Sequence, residues 1–184
     1  MKIKYLLLIL IPLFVIFFNL NNLIFNYPIK NKDVNENLLN YFKGKEGLKF
    51  NYSERELIHL NDVKKLITIL RITIYFVFLL IIILFFTDNN ISHILIVSGL
   101  LTILIILILL LSDFNSLFTK FHETLFTNNY WLLDKDSLLI KTYPIEFFIG
   151  FFKRLVLNIT ITSLIVIGIG IIQNVHKQHK SSNI

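Results

Sequence analysis

Residues 53–86 read Ser53-Glu-Arg-Glu56-Leu-Ile-His59-Leu-Asn-Asp62-Val-Lys-Lys-Leu66-Ile-Thr-Ile-Leu-Arg71-Ile-Thr-Ile-Tyr75-Phe-Val-Phe-Leu-Leu80-Ile-Ile-Ile-Leu-Phe-Phe86. From Leu66 onward the run is long enough to cross a bilayer, which takes about 20 mostly apolar residues. Its one charge, Arg71, stands close enough to the start to snorkel toward water. The polar lead-in begins with a capping box, a Ser at the N-cap and a Glu at the third helical position. Nothing after it breaks a helix, so one continuous helix is expected from about Glu54 to Phe86. His59 then stands about 10 Å above the apolar run, seven residues before Leu66 at ~1.5 Å per residue. Asp62 follows three residues later on the same face, where a carboxylate can accept the imidazole N–H and fix its tautomer.

Three further stretches qualify as spans, at about 5–25, 94–111 and 155–172. The whole chain of 184 residues agrees, being 55% hydrophobic and only 16% charged, with mean hydropathy +0.69. A soluble domain carries roughly a quarter of its residues charged, and disordered, collagenous or coiled-coil chains are excluded by the same composition. The absence of Cys removes disulfides, thiol nucleophiles and thiolate metal sites. The net charge of +6 is spread over tails and loops and forms no basic stripe, so no nucleic-acid partner is expected.

The first span follows Met1-Lys2-Ile3-Lys4 and lacks small residues at a cleavage site, so it reads as a retained anchor, with Pro12 a candidate kink. Lys2 and Lys4 at one end, and Lys177 and Lys180 at the other, favour a cytoplasmic location for both termini. The short connector 87–93 is then cytoplasmic, and the loops at about 26–65 and 112–154 are extracytoplasmic. The expected fold is an all-α membrane protein. It is a four-transmembrane-helix bundle forming a single integral membrane domain over 1–184, with the two extracytoplasmic loops carrying a short β element and an interfacial helix.

Four spans need only short connectors, so the two long loops hold the information about function. In the first, 34–42 has helical spacing and Gly44 and Gly47 end it, while 48–52 alternates like a short strand. In the second, Phe114, Leu117, Phe118, Phe121 and Leu125 recur at helical spacing and mark an amphipathic helix at the membrane surface. His122 borders that stripe. Tyr130 and Trp131 are interface-type residues, and 130–133 with 138–143 read as a hairpin around Asp134-Lys-Asp-Ser137.

Of the five His residues, His176 and His179 fit a solvated tail and His93 an inner-loop cap. His59 and His122 differ because both fall on helices in the two long loops, although an interfacial His without a task is the plainer reading of composition alone. No nucleophile elbow, phosphate loop or His-Glu-x-x-His helix competes. Zinc held by the two His and a carboxylate is a minor alternative, and no metal or other cofactor is expected.

Phe118-Thr-Lys-Phe-His122-Glu-Thr-Leu-Phe126, then Trp131-Leu-Leu-Asp134 and Leu139-Ile-Lys-Thr-Tyr-Pro144-Ile-Glu-Phe-Phe148, resembles the signature of the bacterial lipoprotein intramolecular transacylase family. Ser53-Glu-Arg-Glu56 with His59-Leu-Asn-Asp62-Val-Lys64 looks like that family's other hallmark. The four-span layout and loop order are similar too. The chain is short for the family in its first loop, and Leu60 stands where relatives often have Met.

The resemblance implies an acyltransferase of the cell membrane. It would move one acyl chain from the diacylglyceryl group of a lipoprotein to the α-amine of the same N-terminal Cys, giving the lyso-form. Diacylglyceryl-modified lipoproteins and membrane lipids would be its partners. It implies catalytic roles for His59 and His122, support from Asp62 and Trp131, and acyl-chain binding by the Phe-rich stripe around His122, with Phe118 and Phe121. Imidazole chemistry suits the proton transfers of such a reaction. The alternatives are another His-dependent membrane hydrolase or acyltransferase, and a non-catalytic membrane subunit or sensor.

Overall fold

The computed structural model describes residues 3–29, 31–86 and 91–182. A 3-10 turn at Ile3–Leu6 leads into α1 (Leu7–Asn26), followed by α2 (Lys32–Phe42), α3 (Glu54–Phe85), α4 (Ser92–Leu110), α5 (Phe114–Leu125), α6 (Leu138–Thr142) and α7 (Ile145–Ser182). Helices α1, α3, α4 and α7 are each long and apolar enough to cross a membrane, and the chain is a multi-pass membrane protein of all-α class. Met1, Lys2 and positions 87–90 of the expected inner connector lie outside the described residues.

The chain divides into two compact units. The first comprises 1–20, 72–111 and 155–184. Its core is built from Leu7, Leu10, Ile11, Val15, Val77, Leu84, Ile94, Ile106 and Ile159. Outward, α3 presents Ile72, Tyr75, Phe76, Leu79 and Ile83, all exposed. Large apolar side chains covering a helix exterior suit lipid rather than water.

Buried polar groups inside this unit have hydrogen-bond partners, as a medium without water demands. Asn19 Nδ2 donates to Val15 O at 2.8 Å and to Thr162 Oγ1 at 3.2 Å. Thr102 and Ser163 each donate back to the carbonyl four residues earlier, at 2.8 Å. Helices α4 and α7 meet almost backbone to backbone. A Cβ on Gly99 would stand 3.0 Å from Ser163 O, and one on Gly170 would stand 2.7 Å from Ser92 O. Small residues permit that approach, which replaces the missing hydrophobic drive with close packing.

The second unit comprises 21–71 and 112–154. Its core is Val34, Leu38, Tyr52, Leu60 and Leu139. The continuous α3 expected from the capping box is present. Ser53 N and Ser53 Oγ donate to Glu56 Oε2 at 2.7 and 2.8 Å, and Glu56 N donates back to Ser53 Oγ at 3.3 Å. Glu56 is only 2% exposed, and its other oxygen accepts Leu139 N at 2.8 Å. The buried carboxylate therefore has donors for both oxygens, which offsets its loss of water. The amphipathic α5 also forms where its apolar spacing predicts, capped by Asp113, which accepts Ser116 N at 2.9 Å.

Neither expected β element forms among the described residues. Residues 48–52 stay irregular, with two of their backbone donors turned to local partners. Lys49 N goes to the buried Asn37 Oδ1 at 3.0 Å and Tyr52 N to Phe50 O at 3.0 Å, so neither is available to a ladder. The expected hairpin is replaced by α6. Ser137 Oγ caps it by accepting Ile140 N at 3.3 Å, and Glu56 captures Leu139 N. A side-chain cap and a carboxylate thus take the donors that strand pairing would have used.

Candidate active site

The first turns of α3 bring His59 to a ring-centroid distance of 6.2 Å from His122 on α5. Phe126, buried just beyond α5, packs on both, at 5.0 Å from His59 and 5.6 Å from His122. His122 is further enclosed by Phe118 at 4.3 Å, Trp131 at 4.9 Å and Phe121 at 5.5 Å. The residues singled out in the sequence on both long loops therefore lie around one pair of imidazoles.

His122 Nδ1 lies 2.7 Å from the carbonyl oxygen of Phe118, one turn earlier on α5. A carbonyl only accepts, so the neutral ring carries its proton on Nδ1 and keeps a lone pair on Nε2. Burial lowers the His122 pKa below the usual histidine value, against a smaller upward pull from the Phe118 hydrogen bond. His59, which precedes the apolar run of α3, is lowered further, to about 4. Burial is the main cause, repulsion from His122 adds to it, and the Asp62 charge opposes both. Both shifts favour the neutral ring near pH 7, which leaves the Nε2 lone pair of His122 able to accept a proton.

Asp62 does not hold the His59 N–H as expected. Its Oδ2 accepts Asn128 Nδ2 at 2.9 Å and its Oδ1 accepts Lys65 Nζ at 3.1 Å. The Asn128 hydrogen bond, then Lys65, holds the Asp62 carboxyl below its ordinary range. It therefore acts on His59 through charge. Arg55 makes a parallel tie, donating from Nη1 to Leu132 O at 2.8 Å and lying 5.8 Å from the Tyr130 ring centroid. Three side chains of early α3, Arg55, Glu56 and Asp62, thus hold the segment that carries Phe126 and Trp131. Asn128 and the loop-holding role of Arg55 had no signal in the sequence, because each depends on a contact across more than sixty residues. Among the described residues no group of three His, Cys, Asp or Glu side chains is arranged to hold a metal.

The family model of the lipoprotein intramolecular transacylase Lit matches residues 5–148, which include both imidazoles and their whole surround. The chain belongs to the Lit family. Its fold is similar to that of the membrane-integral Lit from Bacillus cereus, with TM-score 0.86 and 19% identity over 96% of each chain. Two forms of that protein carrying a substituted His are also similar. The His-to-Ala form has TM-score 0.79 and 19% identity, and the His-to-Arg form 0.75 and 18%, over 96% of this chain and 94% of theirs. At these identities the likeness speaks for the fold. No curated protein matches the chain. Membership in Lit makes this a transacylase with lipoprotein substrates, and the four apolar helices suit a family of membrane-integral enzymes.

Proposed function

We propose that the chain is one integral membrane domain over 1–184, lying in the cell membrane with both termini cytoplasmic. On this reading residues 26–65 and 112–154 face outward, and the site transfers an acyl chain from the diacylglyceryl oxygen of a lipoprotein to the α-amine of its N-terminal Cys. The observation that carries this reading is the oriented His122 imidazole, its Nδ1 tied to the Phe118 carbonyl, with the His59 ring beside it.

The reaction needs a base and an acid but no net proton. An α-amine has a pKa of about 7.7–8.0, so a useful fraction is neutral at physiological pH. Its lone pair attacks the ester carbonyl carbon, forming the C–N bond and a tetrahedral oxyanion. His122 Nε2 takes a proton from the nitrogen. The C–O bond to glycerol breaks, and the imidazolium returns that proton to the departing oxygen, leaving an amide and a free hydroxyl. His59, neutral and biased by the charge of Asp62, donates an N–H toward the oxyanion. Phe118 and Phe121 line the acyl chain's approach, and Trp131 keeps the His122 ring in place. Ester-to-amide transfer is downhill, so no nucleotide is required.

The test is mass spectrometry of a lipoprotein N-terminus from cells with the enzyme, without it, and with His122→Ala at matched expression. The lyso-form should appear only with the intact enzyme. Full conversion by the His122→Ala variant ends the mechanism, and no conversion by the intact enzyme ends the reaction assignment.

A further inference from the structure

Away from the imidazole pair, a group of cations in the second unit has aromatic partners but no acidic ones. The guanidinium of Arg71 lies 4.4 Å from the Phe25 ring centroid, and its Nε reaches Asn21 Oδ1 at 3.4 Å. Lys43 Nζ approaches the same ring at 5.2 Å. The two cations are therefore no farther apart than those two distances combined. Lys64 Nζ lies 4.0 Å from the Tyr41 ring centroid, two helical turns before Arg71 on the same face of α3.

Among the described residues none of the three forms an ion pair. The acids nearest to Lys64 and Lys43 along the chain, Asp62 and Glu46, are occupied elsewhere. Asp62 holds Lys65 and Asn128, and Glu46 holds Lys49 and Asn37. Two positive charges addressing one ring repel each other, and ring faces supply only part of what an anion would.

Depth sharpens the imbalance. Arg71 stands five residues inside the apolar run that begins at Leu66, about 7.5 Å at ~1.5 Å per residue. A charge near the acyl chains is costly without a partner. From there the long side chain of Arg71 can snorkel back to the interface, where the anion in supply is the phosphate of a membrane lipid. Exposed Lys43 and half-buried Lys64 and Arg71 leave the group open to such a molecule.

We propose that Lys43, Lys64 and Arg71, walled by Phe25 and Tyr41, form a binding site for the phosphate of an anionic phospholipid of the surrounding bilayer. The site shares no residue with the imidazole pair. The lipid is a resident ligand and undergoes no chemistry there.

Native mass spectrometry of the full chain in detergent tests this, with equal concentrations of phosphatidylglycerol or phosphatidylcholine added. Wild type should retain phosphatidylglycerol several-fold more than phosphatidylcholine. Lys64→Gln and Arg71→Gln should each cut that retention by about fivefold, the loss expected for one cation. Arg71→Lys should keep most of it, and Lys135→Gln, on the remote 134–137 turn, should change nothing. Equal retention of the two lipids by wild type overturns the proposal, and does so without relying on any variant to fold. Undiminished phosphatidylglycerol retention by the Lys64→Gln, Arg71→Gln double variant overturns it too. Displacement of the lipid by millimolar inorganic phosphate would mark a soluble-phosphate site and would overturn the lipid assignment.

Discussion

The Nδ1–H of His122 is committed to the Phe118 carbonyl at 2.7 Å, one turn back along the same helix. A ring anchored in this way by its own helix has a defined tautomer before any substrate arrives. The lone pair on Nε2 is fixed in direction by backbone geometry and needs no carboxylate to orient it.

Replacing His122 with Ala or Asn should therefore remove most formation of the lyso-form, a loss of about 10²–10⁴-fold, as expected for a general acid–base group. His59→Ala should lose nearly as much, and His176→Ala should lose nothing. Quantitative mass spectrometry of the lipoprotein N-terminus, at matched enzyme level, separates these outcomes. Equal activity of His59→Ala and wild type would remove His59 from the mechanism.

Stability should fall in mild acid. The folded-state pKa of His59 is depressed to about 4 from an ordinary value of 6.5, and that of His122 is depressed as well. Between those limits the unfolded chain binds more protons than the folded one, so stability rises with pH. The contribution is complete above about 6.5 and is lost as pH falls toward 4. Tm measured in detergent across that window should drop, and His59→Asn should flatten part of the drop. A His59→Asn profile parallel to wild type would show that His59 is not the group responsible.

The two ends of the Glu56 carboxylate should differ in worth. Ser53→Ala removes one cap and should cost about 1 kcal/mol. Glu56→Ala also strands the buried Leu139 N–H, which adds about 1–3 kcal/mol. Thermal unfolding of the two variants gives the ranking, and the order Ser53→Ala worse than Glu56→Ala would contradict it.

Topology can be read by labelling, since the wild-type chain has no Cys to remove. Single Cys residues at Lys45 and Lys135, both exposed, should react with an impermeant maleimide in intact cells. Reaction only after permeabilisation would reverse the proposed sidedness and move the imidazole pair to the cytoplasmic face.

The parts of the molecule visible in the sequence are those governed by local rules. The apolar runs define α1, α3, α4 and α7, Ser53 with Glu56 marks where α3 begins, and the spacing from Phe114 to Leu125 outlines α5. The two imidazoles stood out because of the helices they occupy. What the sequence hid depends on partners far along the chain. Residues 138–142 look like a strand until Glu56 takes Leu139 N. Asp62 looks like a His partner until Asn128, 66 residues away, occupies it. No periodicity encodes which of two acceptable partners a side chain will meet.

The bond from Leu139 N to Glu56 joins positions 83 residues apart in the chain. A ribosome adding about 5–20 residues per second needs roughly 4–17 s to cover that interval. During that time the first turn of α3 can close its own cap, but the second oxygen of Glu56 must rely on water. The cradle around His122 is then incomplete, with Phe126 and Trp131 not yet secured. The surround of the imidazole pair thus comes together only after both loops have been synthesised, and a nascent chain halted between them would carry His59 without its counterpart.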